Sequence, residues 1–229
     1  MQVKSVLMIH GAGGGGWEWA VWSRVFTAAG WRVSTPDLMP SPGGLVHTSL
    51  DDYERQVRDW IRSVQPSLII GASLGGLLAL SCAAEVASAR LVLVNPMPPA
   101  DLAGVPVLQQ HWSPEVPWQR SASLVSTAAA VPDADASTWQ LAWRRWRNES
   151  GAVLAAASSR CGIPLPTSPA LMLVSGMDDD VPATTTRALA AALGADVFEL
   201  RGASHVGPLL GRDAAAVATR VLAWSRLRS

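Results

Sequence analysis

A chain of 229 residues, 49% hydrophobic and only 16% charged, is sized and composed for one globular domain with a substantial core. Its 18 basic and 18 acidic residues cancel, which argues against a nucleic-acid partner or an anionic membrane surface. Lys4 is the only lysine and falls in the first strand, so Schiff-base and Walker-type lysine chemistry are set aside.

In chain order, Val3 to Ile9 reads as a buried strand, followed by the loop His10-Gly11-Ala12-Gly13-Gly14-Gly15-Gly16. A helix is expected from about Trp17 to Ala29, closed by Gly30. Trp31 to Thr35 reads as a second strand, ending at Pro36-Asp37. After a Pro/Gly-rich loop, Ser49 caps a helix with Asp51 and Asp52 in its first turn and an apolar stripe of Val57, Trp60, Ile61 and Val64. A strand over 67–72 leads into Gly71-Ala72-Ser73-Leu74-Gly75-Gly76, and a helix runs on to about Val86. Arg90 to Asn95 is a fourth strand.

At Pro96 the rhythm breaks. Residues 97–165 read as an inserted helical cap, in which Trp139, Trp143 and Trp146 recur at helical spacing and are expected to furnish pocket wall, Trp143 among them. The alternation then resumes with a strand at Ala170 to Ser175, a helix at Ala183 to Leu193, a strand at Ala195 to Leu200 and a helix at Ala214 to Leu227. The implied fold is α/β: a doubly wound, mostly parallel sheet of about six strands with helices on both faces. Residues 1–229 form a single domain in this reading.

Gly-x-Ser-x-Gly between a strand and a helix is the pattern of a nucleophile elbow. It makes Ser73 the candidate nucleophile and the Leu74 N–H a candidate oxyanion donor. A serine needs a base, and the base needs an orienting acid. His205, in Gly202-Ala203-Ser204-His205-Val206-Gly207 after the last strand, is the candidate base; His47 and His111 lie in irregular segments. The acid is sought in Gly176-Met177-Asp178-Asp179-Asp180-Val181-Pro182.

These four stretches, with the order Ser, Asp, His, resemble the α/β-hydrolase superfamily, near its small esterase and hydroxynitrile-lyase-like branch. The resemblance spans nearly the whole chain except the cap, and implies a fold that lacks the superfamily's first two strands. It implies Ala12 as the second oxyanion N–H. By spacing from Gly176 it selects Asp179 as the acid, with Asp178 the alternative because the run to Pro182 is one residue short. The implied reaction is hydrolysis of a small to medium apolar carboxylic ester through an acyl-enzyme on Ser73. A thioesterase or lyase using the same residues is the near alternative.

No cofactor and no metal are implied. The expected partner is a small-molecule ester, with no nucleic acid and no membrane, in a monomer or homodimer. Cys82 and Cys161 suggest no disulfide framework, and Met1 to Ile9 is too short for a signal peptide, so a cytoplasmic location is expected. Two rival readings exist. Gly11 to Gly16 also satisfies a dinucleotide-binding pattern with Asp37 ending the next strand, although Trp17 and Trp19 crowd the helix start. A hydrolase-fold ligand receptor with little turnover is the other, with the cap tryptophans as its binding face.

Overall fold

The computed structural model describes residues 4–83, 89–102 and 111–227. β1 (Ser5–Ile9) is buried throughout, and the His10 to Gly15 loop leads into a 3-10 turn (Gly16–Trp19) and α1 (Ala20–Ala28). β2 (Arg32–Ser34) follows, then α2 (Leu50–Val64). The Ser49 hydroxyl accepts from the Asp52 N–H, and the Asp52 carboxylate accepts from the Ser49 N–H, so α2 starts where the sequence sets it. β3 (Leu68–Ala72) enters the Ser73 turn and α3 (Leu74–Ala83) leaves it. The expected extension of α3 to Val86 lies outside the described residues.

β4 (Arg90–Val94) precedes the cap. The cap carries β5 (Glu115–Val116), α4 (Trp118–Ser121), α5 (Leu124–Ala130), α6 (Ala136–Trp143), β6 (Glu149–Ser150) and α7 (Gly151–Ser158). β5 and β6 pair antiparallel, a small ribbon that the sequence did not signal. β7 (Ala170–Ser175), α8 (Ala183–Leu193), β8 (Asp196–Leu200), α9 (Gly207–Leu210) and α10 (Ala214–Leu227) complete the chain.

The main sheet is parallel throughout, in the order β2-β1-β3-β4-β7-β8. Side-chain alternation divides β1, β3, β4 and β7 between two cores. Leu7, Ile9, Ile69, Leu91, Leu93 and Met172 pack with α2, α3 and α8. Val6, Met8, Ile70, Val92, Leu171 and Leu173 pack with α1 and α10. Burial on both faces is why these strands read as unbroken apolar runs.

The chain leaves β1 toward β2 on one side and later builds β3 and β4 on the other. The order of strand addition therefore reverses between β1 and β3, where the loops at the carboxyl ends part and open a crevice. Pairing of Ile9 with Gly71 and of Ala72 with Val94 brings His10, Ser73 and Asn95 to one edge of the sheet. Pairing of Ser175 with Leu200 brings the aspartate turn beside the His205 loop. Among the described residues, no helix is long and apolar enough to cross a membrane.

Candidate active site

Ser73 has φ +51°, a left-handed conformation that is uncommon for a residue with a side chain and that costs energy unless its surroundings impose it. Here they do. Its N–H donates to the Val94 carbonyl at 3.0 Å, and its own carbonyl accepts from the N–H groups of Gly76 (2.9 Å) and Met97 (3.0 Å). The glycines around it answer to space. A Cβ on Gly71 would stand 2.3 Å from the Gly75 carbonyl oxygen, and one on Gly75 would stand 2.3 Å from that of His10. The turn thus folds tightly on itself and against the end of β1.

The imidazole of His205 is held by Asp178, whose Oδ2 lies 2.8 Å from Nδ1. The expectation of Asp179 is corrected on this point: Asp179 is exposed, and Asp178 is the aspartate that faces the ring. The reason is the turn itself. Asp178 Oδ1 accepts from the N–H groups of Asp180 (2.9 Å) and Val181 (2.8 Å), which folds the carboxylate inward and aims its second oxygen at His205. Burial works to lower the pKa of His205. The hydrogen bond and charge of Asp178, helped by Asp180 and Glu18, outweigh burial and leave it raised. With Nδ1–H directed at Asp178, Nε2 is the nitrogen free to accept a proton.

Asn95, which the sequence reading passed over, is buried with φ +44°. Its Nδ2 donates to the His205 carbonyl (2.6 Å) and to Ser175 Oγ (2.8 Å), and its Oδ1 accepts from the Ser175 N–H (3.0 Å). It ties the histidine loop to the strand that carries the aspartate turn. A second tie comes from the cap, where Asp133 accepts from the Ser204 hydroxyl (2.6 Å) and N–H (3.1 Å).

The glycine-rich loop is fixed in the same manner. His10 is fully buried, and burial lowers its pKa to about 4. The neutral ring donates from Nδ1 to the Gly11 carbonyl (2.7 Å), while Nε2 accepts from the Leu38 N–H (2.9 Å) and lies 3.2 Å from Arg147 Nη2. Arg147 Nε donates to the Gly14 carbonyl at 2.6 Å. Three N–H groups of the loop go to carboxylates: Gly13 to Glu149 (3.0 Å), Gly15 to Glu18 (3.2 Å) and Gly16 to Asp37 (2.6 Å). A dinucleotide pyrophosphate would need those same donors. A Cβ at Gly14 would fall 2.0 Å from Glu18 Oε2 and one at Gly16 2.0 Å from the Thr35 carbonyl oxygen, so packing explains these glycines. Gly11 passes directly over Ser73, its Cβ position 3.1 Å from that of the serine. The N–H groups from Gly13 to Gly16 are all engaged, and Ala12 lies beside Ser73 on the same cavity, as Leu74 follows Ser73 at the start of α3.

Ser73, His205 and Ala12 line one cavity of about 650 Å³, whose wall includes Met97, Trp112, Trp118 and Trp146. Of the three cap tryptophans singled out by spacing, only Trp146 reaches it. Trp143 is 39% exposed at the end of α6, and its indole N–H donates to the Ala122 carbonyl. Trp139 turns to the Val131 carbonyl instead. Asp178, Asp180 and His205 each bring one possible ligand atom within 4.8 Å of the others, but His205 Nδ1 is already committed to Asp178. An imidazole held this way can take a proton from a hydroxyl that shares its cavity.

The model of the alpha/beta hydrolase family matches residues 6–220. The chain belongs to the alpha/beta hydrolase family. Among solved structures, it is similar to that of the metagenome-derived lipolytic enzymes LipS and LipT: 19% identity over 97% of this chain and 93% of that one, TM-score 0.73. It is similar to tomato methylketone synthase I complexed with 2-tridecanone: 17% identity over 100% of both chains, TM-score 0.77. It is also similar to a pyrethroid hydrolase from Sphingobium faniae JZ-2: 19% identity over 98% of both, TM-score 0.74. At these identities the likeness is one of fold. No curated protein matches the chain.

Proposed function

We propose that this protein is a serine esterase acting on small to medium apolar carboxylic esters. The observation that carries the reading is Ser73, held at φ +51° on the same cavity as a histidine whose far nitrogen is bound by Asp178. Ser73 Oγ attacks the ester carbonyl while His205 Nε2 takes its proton. The imidazolium, steadied by Asp178, then protonates the departing alcohol, leaving an acyl group on Ser73. Water attacks that acyl-enzyme in turn and releases the acid. The N–H groups of Leu74 and Ala12 hold the oxyanion in both steps, each contributing about 3 kcal/mol to transition-state binding. A mostly apolar cavity of about 650 Å³, with Trp112, Trp118 and Trp146 in its wall and no lysine or arginine among its described lining residues, suits an apolar acyl or alcohol group.

Fluorophosphonate labelling and p-nitrophenol release from activated esters test this reading. One adduct on Ser73 is expected, lost in Ser73→Ala together with turnover. Labelling that survives the substitution removes Ser73 from the mechanism. Labelling without release of p-nitrophenol at any acyl length favours a ligand receptor instead.

A further inference from the structure

Glu18 stands between Trp17 and Trp19 at the entrance to α1 and is only 3% exposed. A buried carboxyl is costly unless it is satisfied, and this one is half satisfied. Oε2 accepts from the Gly15 N–H, while Oε1 makes no hydrogen bond to the described residues. The charged groups around it are His205 and Arg147, which favour its ionised form, and Asp37, which opposes it. Burial dominates and raises its pKa to about 7. Beside the main cavity lies a chamber of about 50 Å³, bounded by Gly11, Ala12, Glu18, Ser73, Trp146 and His205. It has room for a water molecule and none for an acyl chain.

We infer that Glu18 positions the water that resolves the acyl-enzyme, in the chamber it shares with Ser73 and His205. The inference rests on the serine esterase reading and names a residue for its second half. The water oxygen bonds to the acyl carbon as His205 Nε2 takes one of its protons. The bond from the carbon to Ser73 Oγ then breaks, and His205 returns the proton to Oγ. The products are a free carboxylic acid and the original serine. Glu18 Oε1 accepts the water's second O–H and so turns a lone pair toward the carbonyl carbon. It transfers no proton. Acylation consumes no water, so this water-placing role falls on deacylation, while the weaker charge effect of Glu18 on His205 touches both halves alike.

The experiment is pre-steady-state turnover of an activated p-nitrophenyl ester, with intact-mass detection of acyl-Ser73. In Glu18→Gln, deacylation is expected to slow by at least about tenfold, the cost of a misplaced reactant, while acylation stays within about threefold. Acyl-enzyme then accumulates, kcat and KM fall together, and kcat/KM holds. Glu18→Asp keeps the charge but withdraws the carboxyl by one methylene, and is expected to give the same split; it carries the test if the Gln variant does not fold. Parallel losses in kcat and kcat/KM with no accumulating acyl-enzyme, or unchanged deacylation in both variants, would overturn the role. A wild-type enzyme that forms no acyl-Ser73 overturns the esterase reading itself, and does so before any variant is made.

Discussion

Asp178→Asn is the sharpest perturbation of the site, because both carboxylate oxygens already have assigned work. Oδ1 accepts from two backbone N–H groups and Oδ2 accepts from His205 Nδ1. An asparagine has one acceptor oxygen, and the two backbone donors claim it. Its NH2 group then faces Nδ1, which must become the acceptor. The proton moves to Nε2, and the ring arrives at Ser73 as a donor that cannot take the hydroxyl proton. A wrong tautomer of this kind costs about ten-thousand-fold in kcat, equivalent to about 5.5 kcal/mol. Stability should change little, since the turn keeps its two N–H bonds. Asp179→Asn should stay near wild type, as that side chain is exposed. The assay is kcat on one activated ester for both variants, with thermal melts alongside. The kcat/KM profile of any residual activity adds a second check. His205 must be neutral to act as base, so activity rises with pH through its raised pKa. Removing the carboxylate leaves burial opposed only by Asp180 and Glu18, and that limb should move to lower pH. Asp178→Asn activity within tenfold of wild type, or an Asp179→Asn variant equally impaired, refutes the assignment.

Two further outcomes follow from the contacts around the site. Asn95→Ala leaves the His205 carbonyl and Ser175 without their buried partner, so a loss of about 2–3 kcal/mol is expected in urea titration, with a larger proportional fall in kcat than in KM. Trp146→Ala should shift acyl preference toward bulkier groups in a panel of p-nitrophenyl esters, whereas Trp143→Ala, off the cavity, should leave the profile unchanged.

The strands and most helices were legible because each is announced within its own few residues. Unbroken apolar runs, the Ser49 cap and the Ser73 turn are local facts. The aspartate was not legible. Spacing from Gly176 counts residues along an extended strand, but Asp178 ends that extension by bonding the N–H groups two and three residues ahead. The tryptophan stripe failed for a related reason. The helix stops at Trp143, and of the stripe only Trp146, beyond its end, lines the cavity, while Trp139 and Trp143 spend their indole N–H groups on the Val131 and Ala122 carbonyls. Asn95, Asp133, Arg147 and Glu149 carried no signal because their partners lie elsewhere in the chain, from Gly13 and His10 to Ser204 and His205. Glu18 did have one: an acid between two tryptophans in an apolar helix start invites the question of what pairs with it.

The two buried titratable groups of the loop make opposite demands on stability. His10 is depressed from 6.5 to about 4, so between those values the unfolded chain binds the extra proton and stability rises with pH. Glu18 is raised from 4.5 to about 7, so between those values the folded chain binds the extra proton and stability falls as pH rises. Each shift corresponds to about 3 kcal/mol across its window. From about pH 4.5 to 6.5 the two slopes oppose each other and their sum is nearly flat. Glu18→Gln removes one of them. In that variant the difference from wild type should grow by about 3 kcal/mol as pH rises from 4.5 to 7, in favour of the variant, because His10 alone then sets the local slope. His10→Gln should do the reverse, gaining relative to wild type as pH falls from 6.5 to 4. Urea denaturation of the three proteins over pH 4 to 7.5 measures both differences. If Glu18→Gln tracks wild type in parallel across that range, Glu18 is not titrating in the folded protein near neutrality, and the opposition between the two groups is wrong.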